Sequence, residues 1–235
     1  MKLSIIIPVF NEKSTILEIF ERVLNVKIPN VIKEVIIVDD GSTDGTREII
    51  KNSKFKFIKI FHDKNQGKGA AVKTGIKHAT GEYIIIQDAD LEYNPKYINN
   101  LLEPILRKNS DVAYGTRLNR MPNLKKEEKK HLFIFHYFGN RFLSLIASIL
   151  YGQWITDVET GYKLFPKKAV EKIKLNAKGF EFEPEITSKL LKQGCKIKEV
   201  SINVIPRGYD EGKKLNTIRD GTKALWYLFK YRFVD

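Results

Sequence analysis

The stretch Tyr83-Ile84-Ile85-Ile86-Gln87-Asp88-Ala89-Asp90 decides the fold. In it, a predicted buried strand is followed directly by two carboxylates. Four β-prone residues form the strand, and Asn94-Pro95 turns the chain away soon afterwards. Open α/β sheets bind ligands at the carboxyl ends of their strands, where Asp88 and Asp90 would lie. Two such close negative charges favour a divalent cation between them. The alternative is a pair of solvated turn aspartates.

Polar side chains follow two other strands and favour the ligand-binding interpretation. Asp39-Asp40 close an apolar run and open the turn 41–45, which is typical of a strand-to-helix junction. The first strand, at 3–8, ends at Pro8, and Asn11-Glu12 leads into a helical pattern. Three such junctions on one edge of a sheet predict a ligand crevice.

Hydrophobic periodicity predicts the remaining elements. Strands are expected at 3–8, 33–38, 55–61, 82–87 and 111–115, and helices at 14–25, 43–53, 67–79 and 95–108. The second of these helices has Ser42, Thr43 or Asp44 available as its N-cap. Later segments predict one or two amphipathic helices within 132–150, a strand near 161–165, a helix at 182–193, a strand at 196–205 and a helix from about 216. The alternation predicts an α/β fold with a doubly wound, mostly parallel sheet.

Composition narrows the class of protein. The chain has 235 residues, of which 43% are hydrophobic, so it can bury a sizeable core. A single cysteine, Cys195, excludes an internal disulfide. Neither an N-terminal signal pattern nor a transmembrane helix is expected. The four histidines lack the spacing of metal ligands.

The net charge of +13 is unevenly distributed. Residues 1–110 contain 17 Lys and Arg against 14 Asp and Glu, whereas residues 111–235 contain 24 against 14. The second half, at +10, is therefore expected to meet phosphates, nucleic acid or a membrane surface. Solubility alone would explain the same lysines equally well.

Read together, the motifs resemble family 2 glycosyltransferases with the GT-A fold. The matching segments are Ile6-Ile7-Pro8-Val9-Phe10-Asn11-Glu12, Val38-Asp39-Asp40-Gly41-Ser42-Thr43-Asp44-Gly45, Asn65-Gln66-Gly67-Lys68-Gly69, Gly81-Glu82-Tyr83 and Gln87-Asp88-Ala89-Asp90. Later segments are similar to polyprenyl-phosphate hexose synthases of the dolichyl-phosphate mannose and glucose type: Gly115-Thr116-Arg117, Asp157-Val158-Glu159-Thr160-Gly161-Tyr162-Lys163-Leu164-Phe165, Gly179-Phe180-Glu181-Phe182-Glu183 and Val204-Ile205-Pro206-Arg207.

The resemblance implies roles for the matching residues. Those expected to bind the nucleotide-sugar are Pro8, Asn11, Glu12, Asp39, Asp40, Lys68, Asp88, Ala89 and Asp90. Asp88 and Asp90 would also bind Mg²⁺ or Mn²⁺. Many dolichyl-phosphate mannose synthases have Gln at the position of Glu92, which here is either a third metal ligand or a turn residue facing solvent.

The acceptor decides whether the chemistry needs a base. A sugar hydroxyl must lose a proton, whereas a lipid phosphate, with a second pKa of about 6, is already a dianion near neutral pH. Arg117, Arg207 and Lys213 are the predicted ligands of such a phosphate. For a hydroxyl acceptor the candidate bases are Asp157 and Glu183. Either could instead orient an Arg or Lys, and this orienting role is favoured for Glu183. The predicted catalytic set is Asp90, Arg117, Asp157 and Arg207.

The expected organisation is a GT-A domain at 1–210, with a nucleotide-sugar and metal half at 1–117 and an acceptor half at 118–210. A mobile loop and an amphipathic helix would occupy 211–235. The segments 132–138 and 226–233 combine aromatic and basic residues, which predicts contact with a membrane surface, or else a core or oligomer face. The protein is expected to be cytoplasmic and peripheral on the cytoplasmic face of a membrane, with a possible membrane-spanning partner subunit.

The resemblance implies a metal-dependent, inverting transfer of a hexose from a nucleotide-sugar to a polyprenyl phosphate. Two other functions stay open at the level of sequence. The first is a glycosyltransferase that acts on a glycan or other hydroxyl acceptor, with Asp157 as base. The second is a basic nucleic-acid-binding module, which charge alone suggests; the motifs predict no nucleic-acid partner. The sequence leaves undecided GDP or UDP as nucleotide and mannose or glucose as sugar.

Overall fold

The computed structural model describes residues 1–118, 131–204 and 217–234. The strands in these ranges are β1 (Lys2–Val9), β2 (Ile32–Asp39), β3 (Ile58–Phe61), β4 (Tyr83–Ile86), β5 (Val112–Thr116), β6 (Lys163–Pro166) and β7 (Ile197–Ser201). The α-helices are α1 (Ile16–Asn25), α2 (Thr46–Asn52), α3 (Lys68–His78), α4 (Ile98–Leu106), α5 (His131–Tyr151), α6 (Lys167–Glu171), α7 (Phe182–Lys192) and α8 (Thr217–Phe233). A short 3₁₀ helix, Pro95–Tyr97, precedes α4.

The strands form one mixed sheet in the order β3-β2-β1-β4-β6-β5-β7. Neighbouring strands are parallel except at β6, which runs antiparallel to both β4 and β5. The expected α/β fold with a doubly wound, mostly parallel sheet is confirmed. Because β1, β2 and β4 are parallel, their carboxyl ends meet at one edge of the sheet.

Both faces of the sheet are covered, as the continuous apolar strands require. Ile5 and Ile7 of β1 pack on one side in a core that includes residues of α1 and α4. Ile6, between them, points to the other side and packs in a core with residues of α3 and α7. The two cores fix the ends of the central strands, which is where the acidic motifs lie.

Four local predictions were wrong. The strand predicted at 196–205 ends at Ser201, and β1 continues through Pro8 to Val9. The third strand begins at Ile58 rather than at residue 55, because Phe55 and Phe57 pack edge-on against Phe20 instead of pairing with β2. The N-cap position of α2 is occupied by Gly45, with φ 98°, rather than by a residue of 42–44.

The helices α5 and α8 pack together and form a small core of their own. Its buried members are Leu143, Ala147, Val158, Ala224 and Leu228. Within the described ranges no helix combines the length and hydropathy needed to cross a bilayer. The domain boundaries expected from sequence stay a prediction.

Candidate active site

Asp88 and Asp90 lie just beyond the carboxyl end of β4, which is the central strand of the sheet. The loop that contains them is called the acidic loop below. Asp88 and Asp90 are both half-buried, and Ala89 between them is buried. Burial, followed by repulsion from Asp88 and Glu92, raises the pKa of Asp90 to about 7. An acidic group with this pKa lies where negative charge is unfavourable, so the loop favours an added cation.

Asp88 is held by a lysine from a different part of the chain. Lys68, the first residue of α3, places its Nζ 2.8 Å from Oδ1 and 3.0 Å from Oδ2 of Asp88. The same Nζ lies 3.3 Å from Oε1 of Glu183, near the start of α7. Glu183 is fixed in turn by the buried Lys163, whose Nζ donates to Oε2 over 2.6 Å. A row of alternating charges therefore begins in the acidic loop and consists of Asp88, Lys68, Glu183 and Lys163.

Arg117 and Asp157 form a two-point ion pair at the end of β5. The guanidinium donates through Nε to Oδ2 and through Nη2 to Oδ1, each over 2.8 Å, and the backbone N–H of Arg117 adds a bond to Oδ2. Asp157 is fully buried, whereas the Arg117 side chain is 21% exposed. Burial opposes the charge of Arg117, but Asp157 outweighs it and raises its pKa. Both oxygens of Asp157 thus position a partly accessible cation.

Tyr93 and Gly161 connect the ion pair to the acidic loop. The backbone N–H of Gly161 donates to the Tyr93 hydroxyl over 3.1 Å, and the Tyr93 ring stacks on Tyr162. Gln87, the last residue before the acidic triplet, donates through Nε2 to the Tyr93 carbonyl over 2.8 Å. Hydrogen bonds of Tyr93 therefore join the acidic loop to the segment that contains Asp157 and Gly161.

Asp39 and Asp40 lie buried under the neighbouring loops. Asp39 accepts a 2.7 Å bond from Nε of Arg47. Asp40 accepts bonds from the backbone N–H groups of Gln66 and Gly67 and pairs with Nδ1 of His62 at 2.7 Å. These contacts shape the loop that leads into Lys68, and nucleotide binding by either aspartate stays a prediction.

The turn after β1 brings three of the residues expected to bind the nucleotide-sugar to the same edge of the sheet. Asn11 has a left-handed φ of 52°, and its Oδ1 accepts a 2.8 Å bond from the N–H of Thr43. Glu12 is buried, and Oε2 accepts a 3.0 Å bond from the Thr15 hydroxyl. Pro8, at the end of β1, is half-buried beside them. Hydrogen bonds within the turn, and to residues 41–46, therefore fix its conformation.

Asp88, Asp90 and Glu92 are the residues predicted to bind a metal ion. The part of the chain that the structure describes contains no group of three or more His, Cys, Asp or Glu side chains arranged to hold a metal ion. The backbone N–H of Glu92 donates to Oδ1 of Asp90, and its charge acts on Arg117. Its role as a ligand stays a prediction. Arg207 and Lys213 lie outside the described residues.

Sequence reasoning missed three residues that organise this site. Lys163 is fully buried in β6, where its Nζ also donates to the carbonyls of Val158 and Thr160. Glu199 of β7 accepts the N–H groups of residues 156 and 157 and so holds the Asp157 loop. Tyr93 bridges to Gly161 as described above. A lone charge inside the apolar stretch 162–165 was the signal for Lys163; no comparable pattern marked the other two.

Substituting Gly161 tests how closely the site is packed. A Cβ at this position would lie 2.5 Å from Oδ2 of Asp88 and 3.0 Å from Nζ of Lys68. Gly161→Ala should displace this pair and lower turnover with saturating substrates by about 10²-fold, as misplacements near 1 Å do. Thermal unfolding should change little, since the obstacles are side-chain ends. Gly139→Ala is the control, because nothing lies within 4 Å of its Cβ; equal activities of the two variants would contradict the prediction.

Comparison with known proteins gives a consistent result. The profile described as glycosyl transferase family 2 matches residues 4–174. Dolichol-phosphate mannosyltransferase of Pyrococcus furiosus is 31% identical over 98% of this chain and 64% of its own length. UDP-N-acetylglucosamine–dolichyl-phosphate N-acetylglucosaminyltransferase of Methanococcus voltae is 30% identical over 91% of this chain and 90% of its own length.

Solved structures resemble the fold along its whole length. Glucosyl-3-phosphoglycerate synthase from Mycobacterium tuberculosis, solved with Mn²⁺, UDP and phosphoglyceric acid, superposes with a TM-score of 0.72 over 100% of this chain and 79% of that one, at 15% identity. The same enzyme solved with Mg²⁺ and UDP also gives 0.72, over 100% and 80%, at 16% identity. At such identity the likeness concerns the fold alone, and it confirms the expected GT-A architecture.

Proposed function

This chain belongs to glycosyl transferase family 2, and we propose that it transfers a hexose with inversion from a nucleotide-diphospho-sugar to a polyprenyl or dolichyl phosphate. The enzyme class, a nucleotide-sugar glycosyltransferase, follows from the family. The donor, the metal and the acceptor are the proposed part. The relatives named for dolichyl-phosphate transfer support this acceptor class.

One observation carries the choice of acceptor: the bidentate ion pair of Arg117 and Asp157 beside the acidic loop. A guanidinium held in this way keeps a fixed direction and loses little entropy on binding a phosphate oxygen. Asp157 uses both oxygens on Arg117, so it is better suited to position a cation than to abstract a proton. A phosphate dianion needs the former and not the latter.

The chemistry of Asp88 and Asp90 fits a hard divalent cation such as Mg²⁺ or Mn²⁺. Their carboxylate oxygens are the ligand type that these ions prefer, and the raised pKa of Asp90 reflects a local excess of negative charge. Two carboxylates leave coordination positions for the donor's diphosphate. The metal would neutralise charge on the leaving diphosphate.

The chain's own residues supply the rest of the proposed mechanism. Asp88 and Asp90 would hold the divalent cation at the diphosphate end of the donor, while Arg117 would hold the acceptor phosphate. An acceptor oxygen then displaces the diphosphate from the anomeric carbon in one step, which inverts the configuration. The acceptor arrives already deprotonated, since its second pKa is about 6.

Release of nucleoside diphosphate tests this proposal. The purified protein is incubated with GDP-mannose, UDP-glucose or UDP-N-acetylglucosamine, with Mg²⁺, Mn²⁺ or EDTA, and with a short-chain polyprenyl phosphate or the matching polyprenol. We expect release with one donor, dependent on metal and on the phosphate acceptor. Release that depends on a glycan acceptor, or on the polyprenol equally, would favour the alternative of a hydroxyl acceptor with Asp157 as base.

The outer face of α5 supports docking to an anionic membrane, where such an acceptor would reside. Phe138, Phe142, Leu145 and Ile149 recur at helical spacing and are 44–70% exposed among the described residues. On α8, which packs against α5, Trp226 is 66% exposed. The positive charge of the C-terminal half complements anionic lipid headgroups. We propose that this apolar face of α5 lies in the membrane interface.

Vesicle flotation measures this docking. The double variant Phe142→Glu and Ile149→Glu should bind vesicles of phosphatidylcholine and phosphatidylglycerol at least about tenfold more weakly, because each buried apolar side chain contributes about 1.5–3 kcal/mol. Leu106→Glu, on the exposed part of α4, is the control and should bind normally. If the double variant instead dissociates a dimer without changing flotation, the face binds a second copy of the chain and not lipid.

A further inference from the structure

Lys68 occupies a position between carboxylates in which a cation is expected. Its Nζ lies within 3.0 Å of both oxygens of Asp88 and 3.3 Å from Oε1 of Glu183. Burial would lower its pKa, but the charges of Asp88 and Glu183 outweigh burial and raise it. The ammonium is therefore a permanent positive charge at the floor of the acidic loop.

The surrounding chain is built to keep Lys68 in this position. Gly67, with φ 97°, starts α3 in a backbone conformation that places Lys68 first in the helix. Gly161 leaves room for the contact with Asp88, because a side chain there would collide with both partners. Glu183 is anchored from behind by Lys163 at 2.6 Å. The contact thus depends on three separate segments and is not an incidental surface ion pair.

This arrangement has a consequence for metal binding, if the proposed function is correct. Both oxygens of Asp88 lie within 3.0 Å of the ammonium, so a divalent ion bound there would compete with the ammonium for this carboxylate. A bare metal ion would weaken the Lys68–Asp88 contact and lie close to an ammonium group of the same sign of charge, which repels it. A diphosphate brings negative charge that would attract the ammonium and offset this cost.

We propose that Lys68 acts as the resident cation of the donor-free enzyme and blocks divalent-metal binding to Asp88 until a nucleoside diphosphate is present. Metal and nucleotide would therefore bind with strong mutual cooperativity. The inference rests on the proposed function, and it assigns to Lys68 an ordering role in addition to contact with the nucleotide. By linkage, the factor by which nucleotide raises metal affinity equals the factor by which metal raises nucleotide affinity.

Binding of Mn²⁺ without any sugar donor tests the proposal. Free Mn²⁺ is followed by electron paramagnetic resonance, at a pH above the raised pKa of Asp90, with and without GDP or UDP. For the wild type we expect weak Mn²⁺ binding alone and at least about tenfold tighter binding with nucleotide. Lys68→Met should bind Mn²⁺ alone at least about tenfold more tightly than the wild type, and the gain from nucleotide should be smaller than in the wild type, since only the diphosphate's own metal ligands then contribute to it.

Two further variants separate charge from structure. Lys68→Arg keeps the positive charge and should keep the block on Mn²⁺. Lys77→Met removes an exposed charge from the same helix and should behave as the wild type. If Lys68→Met unfolds, Lys68→Gln keeps a polar contact and is expected to show the same gain in Mn²⁺ affinity.

The outcomes distinguish this inference from the proposed function. Equal Mn²⁺ affinity of the wild type and Lys68→Met in the absence of nucleotide would overturn the role of Lys68, even with an active enzyme. A wild type that binds neither GDP nor UDP in the presence of Mn²⁺ would overturn the proposed function and this inference with it.

Discussion

Asp90→Asn should abolish sugar transfer and leave the protein at least as stable as the wild type. Asp90 is expected to hold the metal that would neutralise the leaving diphosphate, and loss of such electrostatic stabilisation lowers turnover by about 10²–10³-fold. Stability should not fall, because the negative charge of Asp90 is repelled by Asp88 and Glu92 in the metal-free protein. The amide removes that repulsion and keeps the size of the side chain.

Two measurements on the same preparation check this expectation. Nucleoside diphosphate release reports transfer, and thermal unfolding without metal reports stability. Glu103→Gln is the matched control, since Glu103 forms an exposed ion pair with Arg107, the residue that follows the last turn of α4. Transfer by Asp90→Asn within a few-fold of the control would mean that Asp90 does not hold a metal that the reaction needs.

Asp157→Asn should have the largest effect on stability among the site residues. The change removes the charge that pairs with Arg117 through two bonds of 2.8 Å, in a place where Asp157 is fully buried. Breaking a buried pair from one side costs about 3–5 kcal/mol, and the partial exposure of Arg117 favours the lower end. Urea denaturation measures this cost. Transfer should also fall, chiefly through a higher KM for the acceptor, since Arg117 loses its fixed direction.

A double variant separates positioning from proton abstraction. Arg117→Met combined with Asp157→Asn should be more stable than Asp157→Asn alone, because no unpaired charge is left behind. If Asp157 were a base, Asp157→Asn would lose turnover at unchanged acceptor KM, and the acidic limb of the pH profile of kcat/KM would disappear. A preserved limb with a raised KM supports positioning.

The sequence alone was sufficient to predict the fold and the edge of the sheet at which the candidate site lies. Continuous apolar strands followed by acidic or amide residues at Asn11, Asp39 and Asp88 are local patterns, and the structure brings all three to one edge. Local patterns also gave the helices α1 and α3 to within two residues. The GT-A resemblance rested on these same motifs and proved correct.

Local patterns could not predict contacts between segments that are distant in the sequence. Lys68 and Glu183 are 115 residues apart, and nothing in either neighbourhood indicates that they share Asp88 as a partner. The expected orienting role of Glu183 agrees with its pairing to Lys163 and Lys68, but the identity of these partners came only from the structure. Strand β3 was predicted too long because aromatic side chains favour strands and loop packing alike.

The place of β6 in the sheet has a consequence for how the chain folds. β6 is inserted between β4 and β5, pairing Ile84 with Phe165 and Ala113 with Leu164 across many intervening residues. Closing such long loops is slow, and until it happens both flanking strands present unpaired edges on which aggregation can start. A ribosome must therefore deliver residue 166 before the centre of the sheet can form. Fragments that stop at residue 117 should be insoluble without chaperones, although they contain all the acidic motifs at the ends of β1, β2 and β4.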